Sequence, residues 1–306
     1  LGGMYAGAIK LVGTEAGVGV KLDGKMVASG GDIQLDANGH LSMVDAAATG
    51  AVNVKALSLE AKGPVYAGTT LDVNTQGDLT SQNNLVAKDR ITLNSGGQLT
   101  NNGIIEAGVN ADNSRNTAGD VSVTAQSFSN TGKSVIASRD LTVTTAEILN
   151  NQGGTLSGKR QTTVTAGTVD NQNQGRVLSA DSLNLSADTV LNGQGGLINS
   201  VGQLTVTLGH LNNNAGEVST KASSTLILGT MDNLTGLVMA ENTLGLTATG
   251  AINNQNGVIS GWQGLTVNGT SLDNSNSGTV SSRSGDVAVT LSGALLNSHA
   301  GAVVSQ

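Results

Sequence analysis

The residue whose chemistry and spacing stand out in this chain is asparagine. Ten of them recur at near-constant distance: Asn101, Asn130, Asn151, Asn171, Asn192, Asn213, Asn233, Asn254, Asn274 and Asn297. By subtraction, the intervals are 29, 21, 20, 21, 21, 20, 21, 20 and 23 residues. Each sits in the same phrase: an apolar residue, a polar one, the Asn, a short polar gap, a Gly, then an apolar run. Ile252-Asn-Asn-Gln-Asn-Gly-Val-Ile-Ser-Gly261 is one example. An amide side chain carries one acceptor oxygen and two N–H donors. A column of amides can therefore bind a ligand repeatedly, or its members can hydrogen-bond one another and the backbone along a stack. Stacking explains the repetition without a ligand. Each missing member would leave buried amides or carbonyls unpaired, at about 1–3 kcal/mol.

Other reactive residues form no matching pattern. Cysteine is absent, which excludes thiolate metal sites, thiol catalysis and disulfides. His40, His210 and His299 are far apart in sequence, and a repeat protein keeps distant repeats apart in space. That argues against a zinc site and a Ser-His-Asp triad, and no metal or cofactor is expected. Calcium-binding β-rolls use a nine-residue Gly-rich repeat, which does not occur here. Asp170, Asp232 and Asp273 precede a ladder Asn, but Asn212, Asn253 and Leu191 hold the same place elsewhere. One carboxylate in two or more repeats does not make a six- to eight-oxygen cage. Thr131-Gly132-Lys133-Ser134 resembles the end of a P-loop, yet Ser127 stands where that motif needs its first Gly.

The main catalytic alternative is a carbohydrate-active β-helix enzyme, a polysaccharide lyase or glycosidase. It would need carboxylates, or a carboxylate with Lys or Arg, at matched places on adjacent repeats. Glu217 and Glu241 fall at different offsets from their Asn, so no acidic cluster survives superposition. The expectation is a protein that is not an enzyme. Trp262, the one Trp, lies just after Gly261 at an expected turn and is a candidate sugar platform.

Three short alternating stretches lie between successive asparagines. In residues 254–274 they are Val258-Ile-Ser, Leu265-Thr-Val-Asn and Ser271-Leu-Asp-Asn, each bounded by turn residues. The middle one recurs as Val121-Ser-Val-Thr, Leu141-Thr-Val-Thr, Leu183-Asn-Leu-Ser and Leu204-Thr-Val-Thr. An acidic residue or Asn often precedes it, as at Asp120, Asp140, Asp181, Asn242 and Asp286, where Asx side chains can bond the backbone ahead of them. A period of 20–50 residues is the signature of a solenoid. The fold class expected is all-β: a right-handed parallel β-helix with about 20–21 residues and three short strands per rung. Roughly 15 rungs would fit in the chain. Leu and Val point inward and Thr, Ser and Asn outward, by the two-residue alternation of strands.

Composition agrees with a thin aliphatic core. Among 306 residues there are 43 Gly and 1 Pro, with 1% aromatic and 12% charged residues. Net charge is −7, which argues against nucleic-acid binding, and no basic run exists. No apolar run reaches membrane-spanning length. The organisation expected is irregular rungs over 1–80, where the Asn box is missing, then regular rungs over 81–306. The 29-residue interval contains residues 108–119, read as a loop insertion at one corner. Its Asn113 and Arg115 join Trp262 as candidate binding residues.

The run Ile9-Lys-Leu-Val-Gly-Thr-Glu-Ala-Gly-Val-Gly-Val20 resembles the stretch that closes the haemagglutination-activity secretion domain of filamentous haemagglutinins. The Leu-x-Asn-x-x-Gly boxes and Leu-Thr-Val-Thr strands resemble the repeats of that family and of its contact-dependent growth inhibition members. The resemblance covers essentially the whole chain. It implies a two-partner-secreted exoprotein at the outer surface of a Gram-negative bacterium, an adhesin or a growth-inhibition effector. Its repeats would form a monomeric β-helical filament, exported through an outer-membrane transporter. That filament would project a distal binding or toxin module toward a receptor or glycan on a target cell. The family's Asn-Pro-Asn motifs are absent, Pro64 being the one proline, so the transporter-recognition part is expected to be missing or reduced to its last rungs. The family's toxins lie at the far C-terminus, so no toxin activity is expected in this segment.

Overall fold

The computed structural model describes residues 2–306. None of them is helical. The chain is all-β, with parallel strands stacked as a β-solenoid of about 14 turns. It divides into two compact units: residues 1–150 with 155–159, and residues 151–154 with 160–306.

In the first unit each rung contributes a short first strand, a longer second strand and a short third strand. Val65–Ala67, Thr70–Thr75 and Leu79–Ser81 make one such rung. The first strands pair in parallel with Met4↔Met26, Met26↔Ala46, Ala46↔Val65 and Val65↔Leu85 in register. These steps are 22, 20, 19 and 20 residues by subtraction. The rung length therefore holds where the Asn box is absent. What sets it there is the inward aliphatic column. Leu41, Leu59, Leu79, Leu99, Phe128 and Leu149 stack one above the next from the third strands. Leu79 and Leu99 are fully buried, and burying such a side chain is worth about 1.5–3 kcal/mol. A register slip of one residue would turn the whole column outward.

In the second unit, part of the three-strand pattern merges. Gln161–Asp170, Ser182–Leu191, Leu204–Asn212 and Ser224–Asp232 are continuous strands that join the second and third stretches. Pairing skips one residue at the bend, where Asp188 and Gly209 lie. Gly209 and His210 therefore lie at a bend inside a strand, not at a turn between two strands. A single unpaired residue re-aims the strand there while the ladder on both sides continues.

Small residues line the corner that ends each first strand: Ala28, Ala48, Ala67 and Ala87 in the first unit, Ser179, Ser200 and Thr220 in the second. Asx side chains at corners reach across rungs as well as along the chain. Asp32 accepts from the Ala51 amide at 2.8 Å and Asp78 from the Gln98 amide at 2.9 Å.

Candidate functional site

The asparagine column forms a hydrogen-bonded chain through the interior of the second unit. Asn171 donates its Nδ2 to Asn192 Oδ1 at 2.8 Å, to Gly175 O in its own turn at 3.0 Å and to Leu197 O on the next rung at 3.2 Å. Asn192, Asn213, Asn233 and Asn254 repeat the forward donation at 2.7–2.8 Å. Asn274 passes it to Asn297 at 2.8 Å. In the first unit Asn101 donates to Asn130 at 2.9 Å. Every one of these bonds runs from a lower to a higher number. Asn297 is exposed, whereas the other nine are at most 1% exposed. From Asn192 to Asn274 each amide donates to the next rung and its oxygen accepts from the previous Asn, while Asn171, Asn233 and Asn254 also donate to a carbonyl of their own turn. Buried and paired with one another, these amides present no exposed group to a ligand.

In the second unit the Gly that ends the box serves close approach rather than unusual backbone angles. A Cβ on Gly216, Gly236 or Gly257 would strike the carbonyl oxygen of Asn192, Asn213 or Asn233, one rung back. The left-handed backbone sits in the gap before the Gly, on Ala215, Thr235 and Asn256, with φ of 56°, 54° and 54°.

The insertion is a built platform. It leaves the first strand Ile104–Ala107 and closes on itself through an antiparallel bridge between Val109 and Arg115. Arg115 grips Glu106 with Nε and Nη2 at 2.8 and 3.0 Å and donates Nη1 to Asn113 O at 2.7 Å. Asn113 adopts φ 66° at the tip. Asp112 accepts from the Ser114 amide at 3.0 Å and its hydroxyl at 2.5 Å, and these bonds hold its carboxyl below the usual range. Two side-chain hydrogen bonds tie the loop to earlier rungs: Tyr66 donates its hydroxyl to Val109 O at 3.1 Å, and Asn116 donates Nδ2 to Lys88 O at 3.0 Å. Burial, with the charges of Asp89 and Asp112, pushes the Tyr66 hydroxyl pKa up. Tyr66 thus stays neutral and continues to donate. Between the loop and the outer face of the first strands lies a groove of about 800 Å³. Tyr66 and the groove were not singled out in the sequence. The signal was present, since Tyr66 is one of 2 tyrosines and alternates outward between Val65 and Ala67.

Trp262 is a corner residue whose ring carries the Arg283 guanidinium at 3.6 Å from its centroid. One face is therefore occupied by a cation–π partner from the following rung. The histidines remain apart, each with its own hydroxyl: His40 with Ser58 at 2.7 Å, His210 with Thr230 at 2.7 Å and His299 with Ser298 at 3.0 Å. His210 Nε2 also lies 3.7 Å from Asp232 Oδ2, so adjacent rungs place a Thr, a His and an Asp together. The backbone amides beside them pair within the sheet, with His210↔Thr230 and Asn212↔Asp232 in register. They leave no donors to stabilise an oxyanion, the largest contribution in such catalysis. Among the described residues no group of three or more His, Asp or Glu is placed to hold a metal ion.

A solenoid held by a saturated amide column, with its elaboration confined to one corner loop, defines a structural repeat protein. The haemagglutinin repeat model matches residues 2–43, 29–126, 116–230 and 200–299. The chain belongs to that family, the filamentous haemagglutinin and contact-dependent growth inhibition exoproteins. It is 43% identical over 90 residues to a tRNA nuclease CdiA of Escherichia coli strain NC101, covering 29% of this chain and 3% of that protein. It is 41% identical over 101 residues to a tRNA nuclease CdiA of Yersinia mollaretii, covering 33% and 3%. A Toxin CdiA of Escherichia coli is 34% identical over 147 residues, covering 47% and 4%. The matched stretches are thus a few per cent of those relatives' lengths, and the nuclease and toxin names describe those whole proteins. No solved structure matches the chain.

Proposed function

We propose that this segment is a structural shaft of a secreted, cell-surface exoprotein of a Gram-negative bacterium, exported through an outer-membrane two-partner-secretion transporter. The shaft projects a distal binding or toxin module toward a target cell. The observation that carries the reading is the saturated column. In the second unit, Asn171 to Asn274 donate onward from rung to rung, at zero exposure. Such a column suits a load-bearing or spacing element, because it is repetitive, buried and indifferent to ligand. The absence of cysteine fits passage through a pore, since no disulfide can form before export.

The test is a change of length inside the parent exoprotein. Removing two whole rungs, residues 172–213, joins Asn171 to Asn214-Ala215-Gly216 and preserves a box. Secretion and delivery to target cells should persist. Removing residues 172–202 breaks the register and should abolish surface display, read by antibody labelling of intact cells. If the in-register deletion is displayed normally yet loses target-cell binding, the segment itself is a binding element and the shaft reading fails.

A further inference from the structure

We propose that the groove between the 108–119 insertion and the outer face of the first strands is a binding site for a short neutral saccharide. Its floor is formed by the outward residues of three consecutive rungs, Val27, Ala47 and Tyr66, which stand in register. Ala47 is the smallest of the three and leaves a depression between Val27 and the Tyr66 ring. The rim carries Lys88 on one side and Asn110 and Asp112 on the loop. The site thus combines an apolar floor with the Lys88 ammonium, the Asp112 carboxylate and the Asn110 amide, which is fixed by Ser114 and Asn116.

A pyranose has the matching surface: a C–H face that packs on aliphatic and aromatic groups, and a rim of hydroxyls that both donate and accept. Other ligand classes fit less well. An extended peptide would add by main-chain pairing to a strand edge. The strands under this groove are paired on both sides, so no edge is offered. A polyanion needs clustered cations, and the groove's lining holds one Lys, Lys88, beside one carboxylate, Asp112, in a chain of net charge −7. The overhanging wall is pre-ordered by the Arg115–Glu106 fork, the Tyr66–Val109 bond and the Asn116–Lys88 bond. A fixed wall lowers the ordering cost that a weak ligand must overcome.

The test uses the 306-residue chain with three probes, cellotriose, maltotriose and triacetylchitotriose, read by saturation-transfer NMR and titration calorimetry. At least one probe should bind in the millimolar range, with saturation transferred from Val27 and Ala47 methyl groups. Ala47→Trp fills the depression and should weaken binding by about tenfold or more. Lys88→Ala should weaken it by roughly threefold to tenfold. Trp262→Ala should leave it unchanged. If Ala47→Trp alters the far-ultraviolet spectrum or the unfolding midpoint, Ala47→Thr takes its place with the same expected direction. Binding of none of the probes overturns the proposal. So does binding that ignores Ala47 and Lys88 substitution, or that is lost in Trp262→Ala.

Discussion

Asn213 donates its side-chain amide to the side-chain oxygen of Asn233 at 2.7 Å, one rung further along the chain. Asn233 in turn donates to Asn254 Oδ1 at 2.7 Å, to Gly236 O at 3.2 Å and to Val258 O at 3.2 Å. Both residues are wholly buried. Asn233→Ala removes these bonds and leaves a donor of Asn213 and the oxygen of Asn254 without partners. The expected loss is about 2–6 kcal/mol, from two orphaned groups at about 1–3 kcal/mol each. Asn233→Asp should cost more at neutral pH, because a carboxylate cannot donate and would face two backbone carbonyls while buried. Urea unfolding of the three proteins should rank wild type above Ala above Asp. An Asp variant as stable as wild type would show that the column is not what holds the rungs.

Ser224 gives the opposite case. It occupies the inward column of the second strands, between Leu204 and Leu244. Its hydroxyl is buried and has no hydrogen-bond partner. Thr162 stands in the same column and does have one, donating to Leu178 O at 2.7 Å. Ser224→Ala should therefore be neutral or stabilising by about 1 kcal/mol, since removing an unsatisfied group relieves its desolvation cost. Leu204→Ala, in the same column, should destabilise by about 2–5 kcal/mol. Thermal unfolding midpoints separate the two, and a clear drop for Ser224→Ala would contradict the assignment.

Glycine is not interchangeable between corner and face. At Gly216 an added Cβ collides with the Asn192 carbonyl oxygen, which is backbone and cannot swing away. At Gly245 an added Cβ meets nothing within 4 Å, and its register partners are Thr225 and Thr266. Gly216→Ala should destabilise by about 2 kcal/mol or more through the forced backbone shift. Gly245→Thr should stabilise by about 0.5–1 kcal/mol, since it completes a threonine row and removes glycine's extra unfolded-state freedom. Paired denaturation curves check both signs at once.

How far the sequence could be read follows from the range of each interaction. The rung period was legible because Asn must return to one buried place, so Asn171 and Asn192 mark it directly. The solenoid followed, because alternating runs such as Leu204-Thr-Val-Thr have one inward face. The fused strands were hidden: a bend at Asp188 or Gly209 looks like a turn unless its cross-rung pairing is known. The strained gap was hidden too. Thr235 adopts φ 54°, a region costly for a β-branched residue and held there by the column around it. The groove was least legible of all. Val27, Ala47 and Tyr66 are ordinary residues in sequence and become neighbours only through rung register. The Glu106–Arg115 fork that fixes its wall depends on the loop's own path, which no periodicity encodes.

Acid should loosen that wall late. Asp112 is held below the ordinary carboxylate pKa, first by the Ser114 hydroxyl and then by the Ser114 amide. A depressed folded-state value means that the stabilisation is present above the ordinary carboxylate pKa of about 3.9. It is lost only as pH falls through the lower folded value. The tip of the insertion should therefore keep its order across the range in which exposed carboxylates titrate, and open below it. The Ser114 amide shift, followed by NMR from pH 7 downward, should show a midpoint under that of an unperturbed Asp. Asp112→Asn should remove the transition at this amide while leaving the Arg115–Glu106 fork intact. A Ser114 midpoint at or above the ordinary value would show that the Asp112 bonds do not order the tip in solution.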